Sequence, residues 1–132
     1  MKIIELLENK DYFNTKTTGR PTPDDILFHD PEYHRERKKK TGEIVYMSPD
    51  EYIKRAILGF KSIGEPAENV EQTRNPELID KYAQMMQDGT KFDMPILDYR
   101  DGYFSQEGLH RAMAARKLGA RDIPVAILKD VT

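Results

Sequence analysis

The sequence contains no cysteine, which excludes disulfides, thiolate metal sites and cysteine nucleophiles and fits a reducing compartment. It also lacks an excess of either charge. Lys and Arg number 21 against 23 Asp and Glu, a formal net of −2, so the whole-chain field that drives non-specific nucleic-acid binding is missing. Any such binding needs a local basic patch. The opening MKIIELLENKDYF turns acidic at Glu5 and has neither a long apolar core nor a small-residue cleavage site, so it reads as neither signal peptide nor membrane span. No internal repeat is visible. The expectation is a cytoplasmic protein with no membrane partner.

What is present is enough chain for one compact core: 132 residues bury about two-thirds of the surface exposed by the unfolded chain. With 33% charged and 38% hydrophobic residues, some of that length is expected outside the core. The surplus falls in residues 14 to 42, NTKTTGRPTPDDILFHDPEYHRERKKKTG, which hold three prolines, two glycines and few apolar side chains. This stretch reads as a long polar loop or arm. Together with a short helix over residues 1 to 9, carrying Ile3, Ile4, Leu6 and Leu7 on one side, it makes an N-terminal unit, 1–42, ahead of a domain at 43–132. Within the arm, Arg35, Arg37, Lys38, Lys39 and Lys40 form either a solvated run or a patch for phosphates or an acidic partner protein. Clustered cations without aromatics grip a backbone but read no bases.

From Glu43 the pattern tightens. Ile44 to Met47 read as a strand, followed by Ser48 as N-cap, Pro49 at the first helical position and a face of Tyr52, Ile53, Ala56, Ile57 and Phe60. Asn75 and Pro76 open a second helix through Leu78, Ile79, Tyr82, Met85 and Met86, closed by Gly89. Met94 to Tyr99 read as a strand, Asp101-Gly102 as a two-residue hairpin turn and Tyr103-Phe104 as the start of the returning strand. Gly108 to Leu118 form a third helix, and Ile123 to Leu128 a buried final strand. The fold class expected is α/β (α+β): a small mixed sheet with three main helices, plus the N-terminal helix and polar loop.

The join Tyr103 to Arg111, YFSQEGLHR, carries the chemistry. A helix start presents unpaired N–H groups and a partial positive charge, and Gly108 lets an anion approach that backbone closely. Arg111 offers a planar fork for phosphate oxygens, and His110 can donate or take up a proton as negative charge builds. The structural alternative pairs Arg111 with Glu107 or Asp101 and leaves His110 on a nearby carbonyl.

Gly108-Leu109-His110-Arg111 followed by AMAARKLGARDIPVAIL resembles the ParB N-terminal domain and sulfiredoxin superfamily over roughly residues 43 to 128. Met47 to Glu51, Arg74, Gly89, Pro95-Ile96 and Gly119 to Val125 follow in that superfamily's order. The resemblance implies a ParB/sulfiredoxin-like fold of the stand-alone phage or plasmid type, with nucleoside triphosphates or phosphate esters bound at the Gly-x-x-Arg turn. It also implies that Arg74 faces the same pocket. Members include nucleotide-dependent DNA clamps, a sulfinic acid reductase, a small-molecule kinase and nucleases, so fold does not choose the reaction. Reductase chemistry is excluded, because Leu109 stands where a cysteine is needed. A sliding clamp is not expected either, since Leu109 and His110 replace the acid and an arginine of that turn and no helix-turn-helix follows up to Thr132.

The expected function is therefore binding of a nucleotide or nucleic-acid phosphate by Arg74, Gly108, His110 and Arg111. Were the site catalytic, metal-assisted hydrolysis of a phosphoester or nucleoside triphosphate is the natural class, with Mg²⁺ as the implied ion. Glu107 and His110 would then be the catalytic pair, with Asp101 or Glu107 on the metal. The competing expectation is a non-catalytic mobile-element adaptor or inhibitor that engages a protein or DNA through its basic arm. Should the HRERKKK run hold nucleic acid, affinity measured by fluorescence anisotropy falls steeply with salt and is lost when Lys38, Lys39 and Lys40 become Gln; salt-independent binding rules that reading out.

Overall fold

The computed structural model describes residues 11–18, 40–67, 70–71 and 74–130. The helix expected over residues 1 to 9, and Arg35, Arg37, Lys38 and Lys39 of the basic arm, lie outside them. In chain order the elements are β1 (Phe13–Thr18), β2 (Lys40–Met47), α1 (Pro49–Ser62), α2 (Pro76–Gln87), β3 (Phe92–Met94), β4 (Ile96–Asp98), β5 (Ser105–Glu107), α3 (Leu109–Lys117) and β6 (Ile123–Asp130). This is a small mixed α/β fold, as the sequence pattern predicts.

The main sheet runs β2-β6-β4-β5, with β6 antiparallel to β2 and parallel to β4, and β5 antiparallel to β4. A smaller parallel pair joins β1 to β3. Residues Ile123 to Leu128 of β6 are buried without alternation, the pattern of a strand enclosed on both faces. Around this strand α3 packs on both α1 and α2, while β1 and β3 also contact β6.

Local chemistry sets the helix starts. Ser48 accepts the Glu51 N–H at 3.0 Å, and the Asn75 side chain accepts the N–H groups of Glu77 and Leu78 at 3.0 and 3.2 Å, each cap followed by a proline that has no N–H to leave unpaired. α1 buries Tyr52, Ile53 and Ala56. The Tyr52 hydroxyl donates to Ile96 O and lies 2.8 Å from Gln106 Oε1, so the fully buried ring ties α1 to both strands of the β4-β5 hairpin.

Three expectations need correction. Residues 14 to 18 are not loop but most of β1, because the buried ring of Phe13 enters the core and Asp11 and Asn14 bond to neighbouring backbone. Lys40 to Gly42 likewise belong to β2, so folded structure does not begin at residue 43. The strand expected over Met94 to Tyr99 divides at Pro95 into β3 and β4, which serve different sheets. Pro95 brings no N–H to a ladder, and its carbonyl accepts from Ala126 at 2.9 Å.

A further correction concerns the hairpin. Asp98 pairs with Ser105, so residues 99–104 make the connection instead of a two-residue turn. Asp101 and Gly102 do take positive φ, 62° and 69°, as the Asp-Gly pair predicts. They sit in a single 3-10 turn, Arg100–Gly102, because other bonds carry the chain past β4. Tyr99 N donates to Leu128 O at 2.8 Å, the Asp98 carboxylate takes three bonds from Arg100, and Asp101 N donates to Asp130 Oδ2.

Phe104 leaves that loop to lie over α1, edge-on to Phe60 at 5.4 Å between ring centroids. Gly59 makes room for it: a Cβ there would stand 2.5 Å from three atoms of the Phe104 ring. Gly59→Ala should therefore destabilise the protein by about 1–2 kcal/mol in urea unfolding, overpacking outweighing alanine's better helix propensity. A neutral or stabilising result would mean that Phe104 is free to move.

Candidate functional site

The start of α3 is shaped by a close backbone approach. Gly108 has φ +126°, and a Cβ on it would lie 2.7 Å from Pro95 Cβ and 2.9 Å from Arg111 Nη2. Both conformation and space require glycine. No side chain caps this helix, in contrast to Ser48 on α1 and Asn75 on α2. The first N–H groups of α3 thus lack the side-chain acceptor that the other two helices have.

Around that start lies a cavity of about 170 Å³, lined by Arg74, Tyr82, Gln106, Glu107, Gly108, Leu109, His110 and Arg111. Arg74, which the family resemblance places here, lines this cavity together with Glu107, Gly108, His110 and Arg111; Asp101, also considered for the site, does not. Tyr82 and Gln106 were not foreseen. Tyr82 is legible in sequence only as one apolar position of α2, and its ring packs 4.9 Å from Phe92. Gln106 carries no sequence signal beyond its place two residues before Gly108.

Arg111 points into the protein. Its side chain is 11% exposed; Nε donates to Asp93 O at 2.9 Å, Nη2 to Met94 O at 3.3 Å, and Nη1 meets Glu107 Oε1 at 2.5 Å. The guanidinium therefore holds β3 and the end of β5 against α3, and for Arg111 the structural alternative, pairing with Glu107, is the one formed. Glu107, expected as a catalytic or metal carboxylate, has one oxygen committed to that pair. Arg74 supplies a second guanidinium to the cavity, with its Nε bonded to Val70 O at 2.9 Å. Asp80, on α2, pairs with Lys117 of α3.

His110 Nε2 accepts the backbone N–H of Asn75 at 3.1 Å. That nitrogen consequently carries no proton, and the ring is neutral. Burial, followed by the nearby Arg74 charge, pushes its pKa below the ordinary histidine value, with Glu107 opposing. The bond joins the first turn of α3 to the cap of α2, immediately after Arg74.

Asp101 does not reach this cavity. It lies in the exposed 3-10 turn between β4 and β5, so of the two carboxylates considered for a metal only Glu107 lines the cavity. Among the described residues no group of three or more His, Asp or Glu side chains is arranged to hold a metal ion. Lys91 bonds to Asp11 O at 2.7 Å, outside the cavity lining. Lys40 opens β2 opposite Asp130. No helix among the described residues is long and apolar enough to cross a membrane. A second cavity, about 220 Å³ between α1 and α3, is lined by Asp50, Ile53, Lys54, Ile57, Leu58, Glu71 and Arg116; there Arg116 bridges Asp50 and Glu71.

In comparisons with known proteins, no family model, curated protein or solved structure matches the chain.

The contrast between the two guanidiniums is measurable. Arg111→Lys should destabilise by about 2–3 kcal/mol, since an ammonium cannot span two carbonyls and a carboxylate and leaves buried acceptors unmet. Arg74→Gln should stay within about 1 kcal/mol of the parent protein. Chemical denaturation of both variants tests the ranking, and a reversed order would contradict these separate roles.

Proposed function

We propose that this chain binds a phosphate-bearing ligand, a nucleotide or the phosphate of a nucleic-acid backbone, in the cavity at the start of α3. The observation that carries the reading is that Arg74 and the uncapped first turn of α3 line one polar cavity. Helix-start N–H groups with no side-chain cap and a guanidinium lining the same cavity favour a multiply charged oxyanion. Gly108 keeps that backbone free of a side chain, and His110 adds an imidazole able to donate or gain a proton. The resemblance of residues 43 to 128 to the ParB N-terminal domain and sulfiredoxin superfamily supports the same choice of ligand.

The roles within the site differ from the sequence expectation. Arg74 is the cation that meets the ligand. Arg111 and Gly108 position the turn, the first by its bonds to Asp93, Met94 and Glu107, the second by admitting Pro95. Glu107 steadies Arg111, and its remaining charge faces the cavity as a discriminator against ligands with no cationic or hydrogen-bond donor group to offer it. The cavity's modest size suits one phosphoryl group with part of its ester, leaving the rest of a larger ligand outside.

Thermal unfolding tests the proposal. Pyrophosphate, ATP or CTP, each with and without Mg²⁺, should raise the melting temperature on the order of 10 °C at about a hundred times Kd, from a stabilisation of about 2.7 kcal/mol. Arg74→Gln should abolish that rise, read against the variant's own unliganded melting temperature. Absence of a shift with every phosphate ligand, or an undiminished shift in Arg74→Gln, overturns the reading.

A further inference from the structure

The dipeptide Asp-Gly occurs twice in the sequence, at Asp88-Gly89 and Asp101-Gly102, and Asn-Gly does not occur. A glycine leaves its amide nitrogen open to the side chain before it, and beyond the chain neighbours no atom of the described residues lies within 4 Å of where a Cβ would stand on Gly89 or Gly102. All four residues are exposed, so neither sequence nor exposure separates the two pairs. Hydrogen bonding does. Asp88 closes α2: its N–H bonds to Gln84 O at 3.0 Å, and its carboxylate accepts from Gln84 Nε2 at 3.1 Å. The N–H groups of Gly89 and Thr90 then bond to Met86 O and Met85 O at 3.1 and 2.9 Å. Both the carboxylate and the glycine nitrogen of that pair are held.

Asp101 is held differently. Its N–H donates to Asp130 Oδ2 at 2.8 Å, while its carboxylate receives no bond from a described residue. The pair sits in one exposed 3-10 turn, closed by the Tyr103 N–H on Arg100 O at 3.2 Å. Asp101 is also the one non-glycine residue with positive φ among those described, 62°, a conformation that side chains of L-residues adopt at a cost. Joining an aspartate side-chain carbon to the next nitrogen needs Cβ and that nitrogen on the same side of the Cα–C bond. Neither ψ, 28° at Asp101 or 1° at Asp88, provides this, so each turn has to open first. Opening at Asp88 unwinds the end of α2 and frees the Gln84 bond; opening at Asp101 releases a single surface turn.

We propose that Asp101 is a site of spontaneous isoaspartate formation in this chain, and that the end of α2 protects Asp88 from the same reaction. The Gly102 nitrogen gives its proton to water and attacks Cγ of Asp101. A C–N bond forms, one C–O bond of the carboxyl breaks and water leaves, closing a five-membered succinimide. Water then adds at the main-chain carbonyl carbon of Asp101 and the C–N bond there breaks, so the chain runs on through Cγ and the former main-chain carbonyl becomes a free carboxylate. The water lost is regained, and nothing is oxidised or reduced. The product has one more methylene in the main chain between β4 and β5, which removes the positive-φ constraint at this residue. Arg100 on Asp98 anchors the connection before the change and Phe104 against α1 anchors it after, so the new carboxylate stays at the surface.

The full chain is aged in buffer near neutral pH, then labelled by an isoaspartyl methyltransferase with S-adenosylmethionine, and electron-transfer fragmentation of its peptides locates the isoaspartate. Asp101 should convert faster than Asp88 by about tenfold or more in the folded protein, the factor that one net hydrogen bond makes in an opening equilibrium. In urea the two should convert at similar rates, because the dipeptides are alike once both turns are gone. Q84A, which frees the Asp88 carboxylate, should narrow the gap in the folded state. D101E, whose longer side chain cannot close the five-membered ring, should lose the label at this position, and D88E should retain it. The comparison of positions in the unaltered chain stands even if D101E does not fold. Equal or faster conversion of Asp88 in the folded protein overturns the proposal. So does the absence of isoaspartate at Asp101 over a period in which the urea-unfolded chain converts.

Discussion

The arrangement depends on one buried guanidinium. Arg111 reaches from the first turn of α3 to the carbonyls of Asp93 and Met94 and to the carboxylate of Glu107, so a helix, a strand end and the preceding strand meet at a single planar group. Arginine suits this place because its donors diverge in a fixed plane and its charge is permanent. Burying such a charge is unfavourable unless it is paired and hydrogen-bonded, and here the pairing also defines the cavity wall. Gly108 and Pro95 are part of the same contact, since the guanidinium can sit where it does only if no Cβ stands between them.

A division of labour follows between two like charges. Arg111 holds two carbonyls and Glu107 from inside the protein, whereas Arg74, bonded to Val70 O, reaches the cavity from the connection before α2, although in the sequence they are indistinguishable as types. Neutral His110 stands between them, accepting from the residue next to Arg74 while sitting next to Arg111 in the chain. The three side chains line one cavity.

Much of this was legible in the amino-acid order. Ser48 with Pro49 and Asn75 with Pro76 mark helix starts by cap chemistry that acts within four residues, and the unbroken run Ile123 to Leu128 marks an enclosed strand. The cavity residues were gathered because the turn at Gly108 carries several of them in a row. What escaped depends on docking. FNTKTT has no apolar alternation to announce β1, and only β3 beside it makes it a strand. Pro95 divides a segment whose composition is strand-like throughout. The carbonyls that hold Arg111 lie 17 and 18 residues earlier in the chain, beyond any helical spacing rule. Tyr82 and Gln106 enter the lining for the same reason, through how α2 and β5 lean on α3.

α3 grips the connection before α2 at two points. His110 at one end takes the Asn75 N–H, and Arg116 at the other takes the Glu71 carboxylate, so the residues on either side of Arg74 are tied to one helix. A shift of either anchor along α3 would carry Arg74 with it, since its neighbours on both sides are tied to the same helix.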